Sequence, residues 1–206
     1  DLRGHPLGVT GMGSSTHLLM QYLARASGLK QGELRISGVG SGDGFADALR
    51  SGRIDVGMTT EPTASRLLKS GQARLLVDLR TPEQATAALG GPYPAACLYM
   101  SAPWISAHRD EVQRLVNALV KALRYIAAHS AQDIAAQLPA DYLAGDRALY
   151  VSTLQQSKSM FTADGVMPAD GPANVLRVMR LAERAVTGKP IDLSRTYTTE
   201  FAKAAR

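Results

Sequence analysis

The sequence is poor in cysteine, in aromatic residues and in long apolar runs. Its only cysteine among 206 residues is Cys97, which excludes an internal disulfide and a cysteine-based metal site. Because its neighbours are apolar, we expect Cys97 to be a small buried hydrophobic side chain. No apolar run is long enough to cross a bilayer, so direct membrane insertion is not expected.

The patterns required for metal, cofactor or nucleic-acid binding are also missing. The four histidines have neither H-x-x-x-H nor HExxH spacing, so we expect no metal and no other cofactor. The net charge is +5, yet the Lys and Arg residues are scattered singly and only 5% of residues are aromatic. Nucleic-acid binding favours a clustered basic stripe. We therefore interpret these charges as solvated helix faces and expect no nucleic-acid partner.

The residues that are present have the composition of an ordinary globular protein, with 45% hydrophobic and 20% charged residues. The first part of the chain alternates short strand patterns with helix patterns. This spacing is typical of βαβ units and predicts an α/β fold with a mostly parallel sheet. The predicted strands are residues 6–10, 33–39, 54–59 and 73–79, and the predicted helices between them are residues 15–27, 45–51 and 62–69.

The remainder of the chain is predicted to be helical. The breaker cluster Gly90–Pro94 leads into a predicted strand, Ala95–Ser101, which we interpret as a crossover between lobes. Apolar residues then keep helical spacing from Val112 to Ile126, and further helices are predicted over residues 131–137, 144–157 and 172–186. The predicted division is an α/β lobe over residues 1–95, followed by a crossover strand and C-terminal helices over residues 96–206.

The turn after the first strand is the first candidate binding site. Gly13, Ser14, Ser15 and Thr16 stand directly before or at the start of a helix. A helix N-terminus offers unpaired N–H groups and a positive dipole end, which together attract an anion. The alternative is an ordinary helix cap, although three consecutive hydroxyl groups exceed what a cap needs. His17 either faces the same cleft or lies on the surface of the first helical turn.

Two further loops follow the next two strands. Gly40 and Ser41 lie after the second strand, at the strand end where open α/β sheets hold ligands. The glycine spacing departs from G-x-G-x-x-G and the phosphate-loop lysine is absent, so neither NAD nor a nucleoside triphosphate is expected. Thr60 and Glu61 follow the third strand. Glu61 either contacts the ligand or complements the dipole of the next helix.

With these loops in place, the chain resembles the periplasmic substrate-binding proteins of nitrate/sulfonate/taurine-type ABC importers. That group includes the thiamine-precursor-like and TRAP solute-receptor branches of the type II superfamily. The resemblance implies a three-layer periplasmic-binding-protein lobe followed by a helical C-terminal portion. It extends over about residues 1–130 and is carried by residues 1–10, 13–16, 38–42, 48–57 and 61–62.

The resemblance also implies a function. It points to a non-enzymatic receptor that captures a small anionic solute, such as a sulfonate, a nitrate-like compound or a carboxylate, and delivers it to a membrane permease. The implied location is the periplasm, or a lipid anchor at the outer face of the cell membrane. The ligand loops of the family fall here on Ser14, Ser15, Thr16, Gly40, Ser41, Thr60 and Glu61, with Gly13 and His17 beside them.

Two expectations qualify this interpretation. The chain begins without Met, and by the resemblance it starts at the second lobe, so we expect an excised or processed piece that lacks the N-terminal lobe and holds half of a binding site. Two alternatives also stay open at this point. One is an enzyme on the same fold, of the thiamine-precursor or menaquinone-pathway type, for which His17 is the catalytic candidate. The other is the effector lobe of a transcription regulator.

Overall fold

The computed structural model describes residues 2–143 and 145–206. Asp1, the first of the residues that carry the resemblance, and Ala144, at which a helix is predicted to start, lie outside the described residues. The chain forms two units. The sheet unit runs up to Asp78 and includes Val175–Lys189, and the helical unit consists of Leu79–Asn174 and Pro190–Arg206. The functional division at residue 95 stays a prediction.

The sheet unit contains a parallel sheet, as the sequence predicts. Its strands are β1 (Pro6–Val9), β2 (Arg35–Gly38) and β3 (Val56–Met58), in the order β2-β1-β3. Strand β1 pairs in parallel with both neighbours, with Leu7 opposite Ile36 and Val56. The α/β architecture is therefore confirmed. The helices are α1 (Ser15–Ala26), α2 (Asp43–Arg50), α3 (Thr63–Lys69), α4 (Pro82–Leu89), α5 (Ala102–Ala107), α6 (Arg109–Ala128), α7 (Ala131–Gln137), α8 (Arg147–Ser157), α9 (Gly171–Ala182) and α10 (Glu200–Lys203).

The two faces of the sheet are packed in different ways. Leu7 and Val9 are fully buried on one face, because side chains two residues apart in a strand point to the same side. On the other face Gly8 is paired with Gly57. A Cβ on Gly8 would lie 2.4 Å from Cδ1 of Ile54, and one on Gly57 would lie 2.3 Å from Cζ of the Phe45 ring. The glycine pair thus makes room for the second half of the core.

In the helical unit, the long α6 buries only part of its apolar face. Val112 and Val120 are buried, whereas Leu115 and Leu119 are 43% and 44% exposed. The α10 segment is held against α6 by Arg109, whose guanidinium lies 2.7 Å from the Glu200 carboxylate. This hydrogen bond lowers the pKa of Glu200 below its usual range. The predicted helices over residues 112–126 and 131–137 are confirmed by α6 and α7.

Two predicted strands are wrong. Residues 73–79 and 95–101 belong to none of the described strands, and Leu76 and Val77 form a bend. Apolar side chains in both segments are exposed: Leu76 is 56% exposed and Tyr99 is 88% exposed. Apolar, β-favouring residues form a strand only when a neighbouring strand takes up their backbone hydrogen bonds. The predicted strand at residues 95–101 is therefore absent from the described structure, and its interpretation as a crossover between lobes stays a prediction.

The burial predicted for Cys97 is also wrong, since this residue lies in the segment over residues 95–101 and is exposed. Helix α4 was missed by the sequence interpretation. Within the described part of the chain, no helix combines the length and apolarity that a membrane span requires.

Candidate functional site

The loops that follow β1, β2 and β3 meet at one edge of the sheet. All three strands are parallel, so their carboxyl ends lie side by side, where open α/β sheets hold ligands. The N–H of Val39 donates to the carbonyl of Val9 (2.9 Å). A Cβ on Gly38 would lie 3.4 Å from Cα of Gly11. The N–H of Gly42 donates to Oγ1 of Thr63 at the start of α3 (2.9 Å). The structure therefore brings the three predicted loops together.

The hydroxyl groups of the first loop form a closed network. Ser14 is the N-cap of α1, and its Oγ accepts the N–H of His17 (3.3 Å) and donates to the carbonyl of Gly11 (2.7 Å). Oγ1 of Thr16 accepts the N–H of Thr10 (3.1 Å). It also lies 2.8 Å from both Oγ of Ser14 and Oγ1 of Thr10. These contacts close the turn between β1 and α1.

The direction of each hydrogen bond in this network follows from the number of protons available. A hydroxyl group has one proton to donate and two lone pairs to accept with. Ser14 gives its proton to Gly11, so at the 2.8 Å contact it accepts from Thr16. Thr10 has one hydroxyl proton for Thr16 at 2.8 Å or for Ser14 at 3.3 Å, and the shorter contact favours Thr16. With that assignment Ser14 and Thr16 each donate one hydrogen bond and accept two. Thr16 is also only 5% exposed, so neither hydroxyl has capacity left for a ligand.

Ser15 differs from its two neighbours. Its side chain is exposed, and its hydroxyl makes no hydrogen bond with any described residue. The N–H groups of Ser15 and Thr16 are the first two of α1, and they too lack an acceptor in the described part of the chain. They lie at the positive end of the helix dipole, next to the exposed Gly13. Two amides and one hydroxyl are thus available to an anion.

His17 is held by the loop itself. The N–H of Gly13 points at Nδ1 of His17 (3.0 Å), and Nε2 lies 2.6 Å from the side-chain amide of Gln21. A backbone N–H can only donate, so Nδ1 is the acceptor of this hydrogen bond. Both ring nitrogens are therefore engaged within the first turns of α1, in contact with the loop and the helix.

The second loop presents small, exposed groups. Gly40 and Ser41 are both exposed. Gly40 has a φ of 80°, in the left-handed region that glycine adopts without strain. The amide of Gly42, one residue further on, is already bound to Thr63. The loop is therefore anchored behind Ser41, while Gly40 and Ser41 themselves stay accessible.

The third loop combines a helix cap with exposed polar groups. Oε2 of Glu61 accepts the N–H of Ser65 (3.0 Å) in the first turn of α3, and the contact of Glu61 with a ligand stays a prediction. Thr60 is exposed. Oγ1 of the preceding Thr59 is buried and has no hydrogen-bond partner among the described residues. Asp43 in the first turn of α2 is paired with Arg66 of α3 at 2.9 Å.

Thr10 and Thr63 are structural contributors that the sequence interpretation did not single out. Thr10 closes the hydroxyl network and Thr63 joins the second loop to the third. The only sequence signal for either was its position next to a predicted strand end or helix start.

Comparison with known proteins gives two matches. The model of the NMT1-like family matches residues 3–140, a range that includes all three loops. A solved structure of a protein from Bordetella bronchiseptica RB50 is 35% identical in sequence with a TM-score of 0.90. That match covers 99% of this chain and 64% of the Bordetella chain, so this chain spans less than two thirds of that protein's length. None of the curated proteins matches it.

Proposed function

Because the chain belongs to the NMT1-like family of solute-binding proteins with the type II periplasmic-binding-protein fold, we propose that it binds a small anionic solute for a membrane importer. The solute is a sulfonate, a nitrate-like ion or a carboxylate, and the receptor delivers it to an ABC-type or TRAP-type permease. The proposed location is the periplasm or the outer face of the cell membrane.

One observation carries the proposal that the solute is anionic. The N-terminus of α1 presents the free amides of Ser15 and Thr16 and the free hydroxyl of Ser15, at the edge of the sheet where the three loops meet. Hydrogen bonds from such groups to an anion are short and strong. Gly40, Ser41 and Thr60 supply further exposed donors from the neighbouring loops. Gly13 lets the anion approach the backbone closely.

The hydroxyl network supports a division of roles within the loop. Ser14 and Thr16 hold the turn in shape, and His17 keeps Gly13 in place, so these residues position the site without contacting the solute through their side chains. Ser15 contacts the solute directly. Glu61 fixes the start of α3 and places Thr60 at the same edge.

We further propose that the sheet unit binds its solute together with a second lobe, which lies in the part of the receptor that this chain does not cover. Support comes from the 64% coverage of the Bordetella protein and from the unpaired apolar segments over residues 75–77 and 97–99, whose side chains are exposed. A second lobe with its own strands would bury such segments and complete the binding site.

The test is isothermal titration calorimetry of the 206-residue chain with nitrate, taurine and glutarate. For whichever of these solutes binds, Ser15→Ala is expected to lower the affinity by about tenfold or more. The reason is that a hydrogen bond to a charged group contributes roughly 1.5–3 kcal/mol. Ser15→Asp is expected to abolish binding, since it places a carboxylate where the anion would lie. An acidic residue in the first turn is favourable for the helix, so this variant stays folded.

Gln132→Asp is the matched control, because it introduces the same charge at an exposed position in the first turn of α7. It is expected to leave the affinity unchanged. Undiminished affinity for the solute in Ser15→Asp would contradict the proposed anion site.

A further inference from the structure

A basic surface pocket lies at the opposite end of α1 from the loops described above. It belongs entirely to the sheet unit and has a volume of about 590 Å³. Since α1 has 12 residues, its two ends are about 18 Å apart. The side chains that give the pocket its chemistry are Arg25, Leu29, Lys30, Leu181, Arg184 and Thr187.

The pocket is built on the C-terminal ends of two packed helices. Arg177 of α9 donates to the hydroxyl of Tyr22 of α1 (3.0 Å), which holds the two helices together. The end of α9 is closed by Thr187, whose Oγ1 donates to the carbonyl of Arg180 (2.8 Å). The buried Leu29 fixes the chain after α1. The backbone around the pocket is therefore held by contacts independent of any ligand.

Three cations line this pocket without a counter-ion. Arg25, Lys30 and Arg184 form no ion pair or side-chain hydrogen bond with any residue in 2–143 or 145–206. The nearest acidic residues in sequence are engaged elsewhere. Glu33 accepts the backbone N–H of Lys30 (2.7 Å) and lies 3.7 Å from Arg3, and Glu183 accepts the N–H of Ala185 (3.0 Å). Like charges that share one concavity repel each other until an anion is present.

A structural role accounts for only part of this arrangement. A cation in the last turn of a helix complements the helix dipole, and Arg25 occupies that position in α1. Lys30 follows the end of α1 by four residues, beyond the reach of that effect, yet it lines the same pocket as Arg184. The dipole therefore explains one cation and leaves the convergence of the three unexplained.

We propose that this pocket binds a second small ligand, a solute that carries two or more oxyanion groups. Its volume lies within the range of about 300–1,000 Å³ that small-molecule sites occupy, which exceeds the space that one phosphate or carboxylate group needs. Arg25 and Arg184 bind the oxyanions through their planar, multiply donating guanidinium groups, and Lys30 supplies a third charge. Leu29 and Leu181 pack against the apolar part of the ligand.

The test uses pyrophosphate as the probe, in calorimetric titrations of the 206-residue chain at low ionic strength. We expect one pyrophosphate to bind per chain. The triple variant Arg25→Gln/Lys30→Gln/Arg184→Gln is expected to lose about tenfold or more in affinity, because charge-assisted hydrogen bonds are the strong ones. The matched control is Arg53→Gln/Arg74→Gln/Lys121→Gln, which removes two arginines and one lysine at exposed positions outside the pocket. It is expected to bind nearly as well as the parent chain.

A second pair of measurements separates this pocket from the N-terminal end of α1. Pyrophosphate is expected to shift the amide resonances of Gly28 and Gly32, and Ser15→Asp is expected to leave its affinity unchanged. Equal losses in the two triple variants would reduce the effect to net charge and overturn the proposal. Loss of binding in Ser15→Asp alone would move the anion to the other end of α1 and also overturn it. Capture of the chain on phosphatidylglycerol vesicles through the same three cations, without pyrophosphate binding, would overturn the assignment of a soluble ligand.

Discussion

The strand β1 and the unpaired segment over residues 75–77 are similar in sequence, but only β1 belongs to the sheet. Both are short and apolar. In β1, Leu7 is fully buried, and the strand has a parallel neighbour on each side. In the unpaired segment, Leu76 is 56% exposed and none of the described strands pairs with it. The difference shows that pairing, and not the apolar sequence by itself, decides which of these segments becomes part of a sheet.

The contrast between paired and unpaired segments also distinguishes the candidate site from the segments over residues 75–77 and 97–99. The three loops at the sheet edge are in place because β1, β2 and β3 are paired, and their polar groups are mostly committed to one another. The segments over residues 75–77 and 97–99 have no such constraint, and their apolar side chains meet solvent. A site that is formed by strand ends thus depends on the pairing of β1 with both of its neighbours.

The largest expected effect comes from the same truncation in the two segments. Leu7→Ala is expected to lower the free energy of unfolding by about 3 kcal/mol, because it removes buried methyl groups and leaves a cavity. Leu76→Ala is expected to change it by less than about 0.5 kcal/mol, as is usual at exposed positions. Urea unfolding followed by circular dichroism measures both. Equal losses in the two variants would contradict the contrast between paired and unpaired segments.

A smaller effect is expected from the glycine pair in the sheet. Gly57→Ala places a Cβ against the ring of Phe45, which is 2% exposed and cannot easily move. We expect a loss of about 2 kcal/mol, in the range of overpacking substitutions. Gly32→Ala is the control, since a Cβ there meets no atom within 4 Å. If Gly57→Ala unfolds at the same urea concentration as the control, the close packing of Phe45 on the sheet is wrong.

The fold was predictable wherever the signals were local. The order of the first three strands and helices follows from alternating patterns and from stop signals such as Gly28, whose φ is 87°. The strands predicted over residues 73–79 and 95–101 fail because pairing depends on a neighbour that the local sequence does not specify. Helix α4 had its own signals, with Thr81 as N-cap, Pro82 in the first turn and Gly90 left-handed at its end. Those signals are sufficient, so its omission is a misinterpretation rather than a missing signal.

The candidate site was predictable in its location and not in its detail. Topology places the loops after parallel strands at one edge, so the neighbourhood of Ser15, Ser41 and Thr60 follows from the order of elements. The order of elements does not show which hydroxyl group stays free. That depends on the contact across the turn between Oγ1 of Thr10 and Oγ1 of Thr16, which are 2.8 Å apart. In the sequence the three hydroxyl residues look like equivalent donors, whereas among the described residues the hydroxyl groups of Ser14 and Thr16 are hydrogen-bonded and that of Ser15 is not.

The smallest perturbation tests the exposed side of the comparison without changing any core residue. Cys97 lies in the unpaired segment that contains Tyr99, and it is exposed. We expect it to react fully with Ellman's reagent in native buffer, because an accessible thiolate is the reactive species. Thiol release measured at 412 nm gives the stoichiometry, and Cys97→Ser supplies the blank. Reaction only after addition of urea would mean that this segment is covered in solution. That result would remove the distinction between paired and unpaired apolar segments for residues 97–99, while leaving it intact for Leu76.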